Sequence, residues 1–329
     1  MEHTVLYPLR FEPIYQYRLW GGRRLADLLS APMPNGPIGE AWVLSDREDH
    51  ASIVDNGPLK GQTIGQLMAE FPVQMMGRLL RRFRRFPLLL KFLDAHEMLA
   101  VQDHPGYPAD QPLPEGEKEK TEAWVVIDAG KESRIYAGLK PGTTPDILRQ
   151  SIANGTLADH LAFFTPEPGD SVFIPAGTVH ALGGDVVVFE IQQNSDMTFR
   201  LYDWGHVDTK TGKPRALQVD QALGCIDFVD GAAGLVKPVV EAATSGRELV
   251  FDCEAFRLWR LRSQLPFPVG AADVPRVLVC VEGAGQIDHD GATYAIERGE
   301  VWLLPAVLGI CHFRPSDVVN LLEIACPAG

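Results

Sequence analysis

One internal repeat constrains the fold of this 329-residue chain more than any other feature. "PGDSVFIPAGTVHAL" (168–182) and "RGEVWLLPAVLGICHF" (298–313) share a plan: Gly then an acid, a short apolar strand, and Pro-Ala six residues after the Gly. Each copy then reaches a histidine, His180 or His312. The sequence around the copies is strand-like too. "EAWVVIDA", "SRIYAGL", "DVVVFEIQ", "RVLVCVEG", "GQIDHDGATYAIE" and "VVNLLEIA" are short, rich in Val and Ile, and separated by Gly, Pro and Asp turns. Asp290-Gly291 is a hairpin signal. Two segments read as helical. The one near 62–86 must break or kink at Pro72. The one near 144–164 opens with Thr144 as N-cap and Pro145 at the first helical position; Asn154-Gly155 then splits it into two short helices.

A Gly-acid turn feeding a strand that ends in Pro resembles half of the cupin, or double-stranded β-helix, signature. The resemblance implies a mainly β chain of two cupin-type jelly-roll barrels, with short helical insertions in the first. The small-residue stretch at 232–247 is the natural boundary, giving a catalytic domain over 1–235 and a structural jelly roll over 236–329.

Composition excludes several functions. A formal net charge of −13 argues against general nucleic-acid binding. The one basic exception, "GRLLRRFRRF" at 77–86, reads as a solvated helix end. No apolar run approaches a membrane span and no signal peptide opens the chain, so a cytoplasmic location is expected. Five cysteines, none in a C-x-x-C, read as free thiols rather than as disulfides or zinc ligands.

The polar residues of the first copy have company. In "LAVQDHP" Gln102 and His104 lie two apart and share one face of a strand. Glu122 opens another strand in "KTEAWVV", and His180 ends "FIPAGTVH". Imidazole nitrogens and carboxylate oxygens suit zinc or a similar divalent ion, and a barrel would gather these strands at one mouth. Each residue also has an ordinary reading: Glu122 as a surface ion pair with Lys120, His180 as a turn cap, His312 as a satisfied core group. The joint pattern favours a metal site in the first unit. The second copy has no Q-x-H and no K-T-E, so it reads as structural.

The ordered set "LLLKFLDA", "LAVQDHP", "KTEAWVV", "FIPAGTVHAL" and "FEIQQNSDMTFRLYDWG", with "LWGG" and "GEAWVLSD" before it, resembles the type I mannose-6-phosphate isomerases in their short bacterial form. The resemblance implies one Zn²⁺ per chain held by Gln102, His104, Glu122 and His180. It implies a sugar-phosphate substrate, mannose 6-phosphate or fructose 6-phosphate, in a cleft containing Lys91, Lys120, Glu190 and Arg200. Arg200, Glu190 and Lys120 are then the catalytic candidates; Lys91, Lys120 and Arg215, with Lys210 and Lys213 nearby, are those for the phosphate. A monomer or weak homo-oligomer is expected.

The chain departs from the family pattern at Ala100, where a hydroxyl is usual, and at Asp103, where an apolar residue is usual. It also departs at "PGYPAD" (105–110) and "RALQ" (215–218). Other readings keep a place: an isomerase of an unphosphorylated or different sugar, a sugar-binding bicupin without catalysis, and an iron-dependent cupin dioxygenase.

Overall fold

The computed structural model describes residues 6–106, 119–208, 211–229, 232–242 and 246–326. Lys210 and positions 107–110 of "PGYPAD" lie outside the described residues.

The chain is mainly β, and four of its sheets stack in layers. A six-stranded sheet runs in the order Ile14–Gly22, Ile38–Leu44, Leu88–Ala95, Val186–Gln193, Glu122–Ala129, Ser171–Ile174. A seven-stranded sheet runs Leu9–Arg10, Val301–Leu304, Arg276–Glu282, Val319–Ala325, Arg257–Ser263, Arg247–Asp252, Val239–Ala242. Strand alternation decides how they pack. Leu90, Phe92, Phe189 and Ile191 share a buried core with Val277, Val279, Leu322 and Ile324, so these two sheets lie back to back. Each such fully buried side chain contributes about 1.5–3 kcal/mol.

The intervening residues face the other way. Leu93, Trp124 and Val188 pack on Ile135 and Leu182 of a five-stranded sheet, ordered Phe199–Tyr202, Val101–Asp103, His180–Gly183, Arg134–Leu139, Leu161–Phe164. Leu278 and Leu321 pack on Ile287 and Phe313 of a four-stranded sheet on the far side. The first strand, Leu9–Arg10, crosses from the start of the chain to pair with Val301–Leu304, and Arg10 adds an ion pair to Glu300. The N-terminus therefore completes a sheet otherwise made of residues 239–325.

The expected local signals appear with two corrections. Thr63 caps the helix Ile64–Glu70 through a capping box with Gln66; the helix ends at Phe71, and Pro72 opens a second one, Pro72–Met76. Thr144 caps Pro145–Asn154, and Gly155 closes it at φ +70°. Asp290 and Gly291 both take positive φ, as a two-residue hairpin turn requires. The second helix expected before residue 164 is instead a 3₁₀ turn, Leu157–His160, followed by the edge strand Leu161–Phe164. A short apolar run carries no period that separates the two outcomes. His312 is exposed, not a core group. Its neighbours Cys311 and Phe313 take the buried face of the strand Ile310–Pro315.

Candidate active site

The six- and five-stranded sheets leave a polar end between them, and the predicted ligands meet there. Gln102 and His180 stand directly opposite each other in register, and Arg200 pairs with Gln102 from the other side. His104 follows one residue beyond its strand. Glu122 comes from the facing sheet, opposite Ile174 and Gln192.

One ligand atom each of His104, Glu122 and His180 lies within 4.8 Å of the other two. His104 Nε2 is 3.3 Å from Glu122 Oε2, and His180 Nε2 is 3.3 Å from Glu122 Oε1. All three side chains are 1% exposed. His180 Nδ1 lies 2.8 Å from the Thr178 carbonyl; donating there would leave Nε2 with its lone pair toward the cluster. Gln102 Nε2 is 3.2 Å from His180 Nε2, which places the amide beside the cluster.

The buried donors fit a divalent ion. Both Glu122 oxygens and His104 Nδ1 are buried without a hydrogen bond, the Glu122 contact with Lys120 being ionic. Burial, reinforced by Lys120, depresses the His104 imidazole to about 3; burial lowers that of His180 too. Both rings are therefore neutral, as metal ligands must be. Burial opposes the Glu122 carboxylate, but the Lys120 ammonium beside it outweighs burial and holds Glu122 well below the usual range.

A cleft of about 480 Å³ opens beside the cluster. Gln102, Lys120, Lys91, Glu190, Arg200 and Arg215 all line it, and Gln102 and Lys120 join it to the buried cluster.

The comparisons with known proteins point the same way. Residues 9–124 match the phosphomannose isomerase type I catalytic domain. The chain is 33% identical to the mannose-6-phosphate isomerase ManA of Bacillus subtilis over 92% of this chain and 94% of that protein. It is 31% identical to the probable mannose-6-phosphate isomerase GmuF of the same organism, over 94% and 99%. The crystal structure of the mannose 6-phosphate isomerase from Bacillus subtilis superposes with a TM-score of 0.87 at 28% identity, covering 96% of this chain and 99% of that one. The chain belongs to the type I phosphomannose isomerases. It is an isomerase.

Within this family member, the cleft holds residues that sequence reasoning missed. Lys91 is 4% exposed and enclosed by carboxylates: Glu190 at 3.3 Å, Asp196 at 3.5 Å and Glu40 at 3.9 Å. Its ammonium also lies 5.0 Å from the centre of the Trp42 ring. Burial works against the charge, but the three carboxylates overcome it and raise Lys91 above the ordinary lysine value. Arg18 grips Glu40 in a bidentate pair at 2.7 and 3.2 Å, and Trp42 Nε1 donates to the same carboxylate at 2.7 Å. Burial would raise the Glu40 carboxyl, yet Lys91 and Arg18 pull it down to about 2. Glu40 lies in the quoted "GEAW", and a glutamate inside a strand buried on both faces was the available signal. Arg18 had none.

Glu190 contrasts with Glu40. Burial and the nearby Glu122 charge raise its carboxyl above the ordinary value despite Lys91, and Trp124 Nε1 donates to it at 3.0 Å. Lys120 sits at the cluster itself, 2.8 Å from Glu122 Oε2 and 3.0 Å from His104 Nε2. Arg215 is held by Asp203 at 2.8 Å. Arg200 pairs with no carboxylate among the described residues, and Gln218 of "RALQ" accepts its backbone N–H at 3.1 Å. Ala100 is buried in the cleft wall without a hydroxyl. Asp103 points away from the cluster, fully buried, and desolvation raises its carboxyl well above the usual range.

Proposed function

We propose that the chain interconverts mannose 6-phosphate and fructose 6-phosphate by zinc-dependent proton transfer between C1 and C2, through a cis-enediol. The observation that carries this reading is a buried His–Glu–His cluster joined through Lys120 and Gln102 to a cleft lined by Glu190 and Arg200. Gln102, His104, Glu122 and His180 would hold the ion. Bound there, zinc supplies Lewis acidity for the sugar's carbonyl oxygen.

The remaining work falls to side chains. Glu190 takes the carbon-bound proton and returns it to the neighbouring carbon, while the hydroxyl proton passes between the two sugar oxygens; a raised carboxyl pKa suits both halves of the Glu190 task. Such a base is worth about 10²–10⁴-fold. Lys91 and Trp124 fix the Glu190 carboxylate from two sides. Lys120 steadies Glu122 and His104. Arg200, the lining cation without an ion pair among the described residues, meets the negative charge that develops on the sugar, and Arg215 with it turns toward the phosphate. Lys91 is the weaker phosphate ligand, because its ammonium is already surrounded by three carboxylates.

The same reading carries a division near residue 235 into a catalytic and a structural jelly roll. A second reading, turnover of unphosphorylated mannose, is favoured by the missing hydroxyl at Ala100.

Turnover of mannose 6-phosphate and mannose side by side separates the two readings, with solvent deuterium uptake at the product carbons followed in parallel. The expected result is turnover of the phosphorylated sugar with deuterium uptake, both lost in Glu190→Gln. Turnover chiefly of mannose establishes the second reading, and turnover of neither sugar overturns both.

A further inference from the structure

The basic stretch "GRLLRRFRRF" plays no part in the isomerase site, yet the fold gives it a shape. Gly77–Arg81 forms a 3₁₀ turn after the helix Pro72–Met76, and a cleft of about 600 Å³ opens against it. Arg78, Arg81 and Arg84 line this cleft, with Val73 and Leu80 as an apolar wall and Asp273 beside Gly77. The concavity is fixed by a close approach of two loops. Gly77 adopts φ +52°, and a Cβ there would stand 2.3 Å from the Asp273 carbonyl oxygen. The Arg78 N–H donates to that same carbonyl at 3.2 Å.

Within this stretch the arginines differ in how their charge is met. Arg85 is taken up by Glu48 and Asp46, and Arg82 lies 5.2 Å from the centre of the Phe83 ring. Among the described residues no carboxylate forms an ion pair with Arg78, Arg81 or Arg84, although the chain carries 43 acids against 30 basic residues. All three are exposed around one concave surface. Their mutual repulsion becomes attraction when a multivalent anion lies between them. Guanidinium forks match phosphoryl oxygens in pairs, and Val73 and Leu80 offer contact to an organic moiety.

We propose that this cleft is a second binding site, taking a small ligand with two or more phosphoryl groups. Its lining shares no residue with the isomerase cleft, so the proposal stands or falls independently of the reaction assigned there. A nucleic acid fits less well. It would need a basic surface continuing beyond the cleft, and the chain's net charge of −13 opposes it.

The test is calorimetric titration of inorganic pyrophosphate into the full chain freed of metal, which removes chelation as a source of heat. The variants are Arg200→Ala, Asp273→Asn and the triple Arg78→Ala/Arg81→Ala/Arg84→Ala. Binding is expected to persist in Arg200→Ala and to tighten in Asp273→Asn. It should weaken about tenfold or more in the triple variant. Should that variant fail to fold, Arg78→Lys/Arg81→Lys/Arg84→Lys carries the test, because it keeps the charge and loses the forks; affinity there is expected below wild type. Wild-type affinity in whichever triple variant is read overturns the proposal. So does loss of binding in Arg200→Ala alone, or tighter binding of a single-stranded oligonucleotide than of pyrophosphate.

Discussion

The two copies of the repeat build the same turn and then part company. In the first, Glu167 N donates to Asp170 at 2.8 Å; in the second, Glu297 N donates to Glu300 at 3.0 Å. The glycines between them take φ +95° and +87°. Register carries the match onward. Glu122 stands opposite Ile174, before Pro175, and Arg276 stands opposite Leu304, before Pro305. Glu190 faces Trp124 as Glu323 faces Leu278, and Lys91 faces Glu190 as Trp259 faces Glu323. Ile310 falls where His180 falls, five residues after the proline.

One backbone plan thus carries two chemistries. Where the first unit gathers Glu122, His104 and His180, the second closes the position with its own ions. Glu323 accepts from Arg247 at 2.7 Å and from the Gly270 N–H at 2.9 Å, and Arg276 Nε lies 3.6 Å away. The Arg247 guanidinium stacks 4.4 Å from the centre of Trp259. A buried carboxylate answered by two arginines needs no metal; one answered by two neutral imidazoles, a lysine and an amide fits one.

The largest expected effect sets the buried acid of one unit against that of the other. Glu122→Gln should lose bound metal and lower kcat/KM by about 10³-fold or more, read by metal analysis and turnover. Glu323→Gln should leave metal content and turnover intact while costing about 3 kcal/mol of stability in denaturant melts, because Arg247 and Arg276 lose their buried partner. Equal loss of activity in both would end the distinction.

Lys91→Met comes next. It leaves Glu190 and Glu40 without their shared ammonium and should destabilise the fold by about 3 kcal/mol. The double variant Lys91→Met/Glu40→Gln should recover part of that loss in the same melts.

Glu40 makes stability depend on pH. Its folded pKa of about 2 lies below the ordinary 4.5. The stabilisation is therefore complete above about 4.5 and is lost as pH falls toward about 2. Melts of wild type and Glu40→Gln should converge as pH drops through that window. A constant difference would mean that Glu40 is not held by Lys91 and Arg18.

The smallest effect is expected at Arg200→Lys. It keeps the charge and loses the planar fork, so KM for the sugar phosphate should rise about tenfold.

The sequence made the first unit legible because its ligands sit in short ordered motifs. Q-x-H puts two side chains on one strand face, and Glu122 and His180 each stand at a strand's end. The Gly-acid turns were legible for the same reason, being local. Arg18 and Asp196 were not, since their meaning depends on which strands become neighbours. Strand alternation explains the error at His312: an apolar-looking segment has two faces, and pairing decides which one is buried. The counterpart positions Arg276 and Glu323 were hidden likewise, because matching them to Glu122 and Glu190 requires the ladder registers of both sheets.

In the proposed reaction the cluster in the first unit holds the ion on which isomerisation depends. The most direct test is turnover of mannose 6-phosphate by one preparation, measured as purified, after chelation, and after adding back one equivalent of zinc. Loss on chelation and recovery with zinc, absent in Glu122→Gln, is the predicted result. Full activity in chelated, metal-free protein would contradict it.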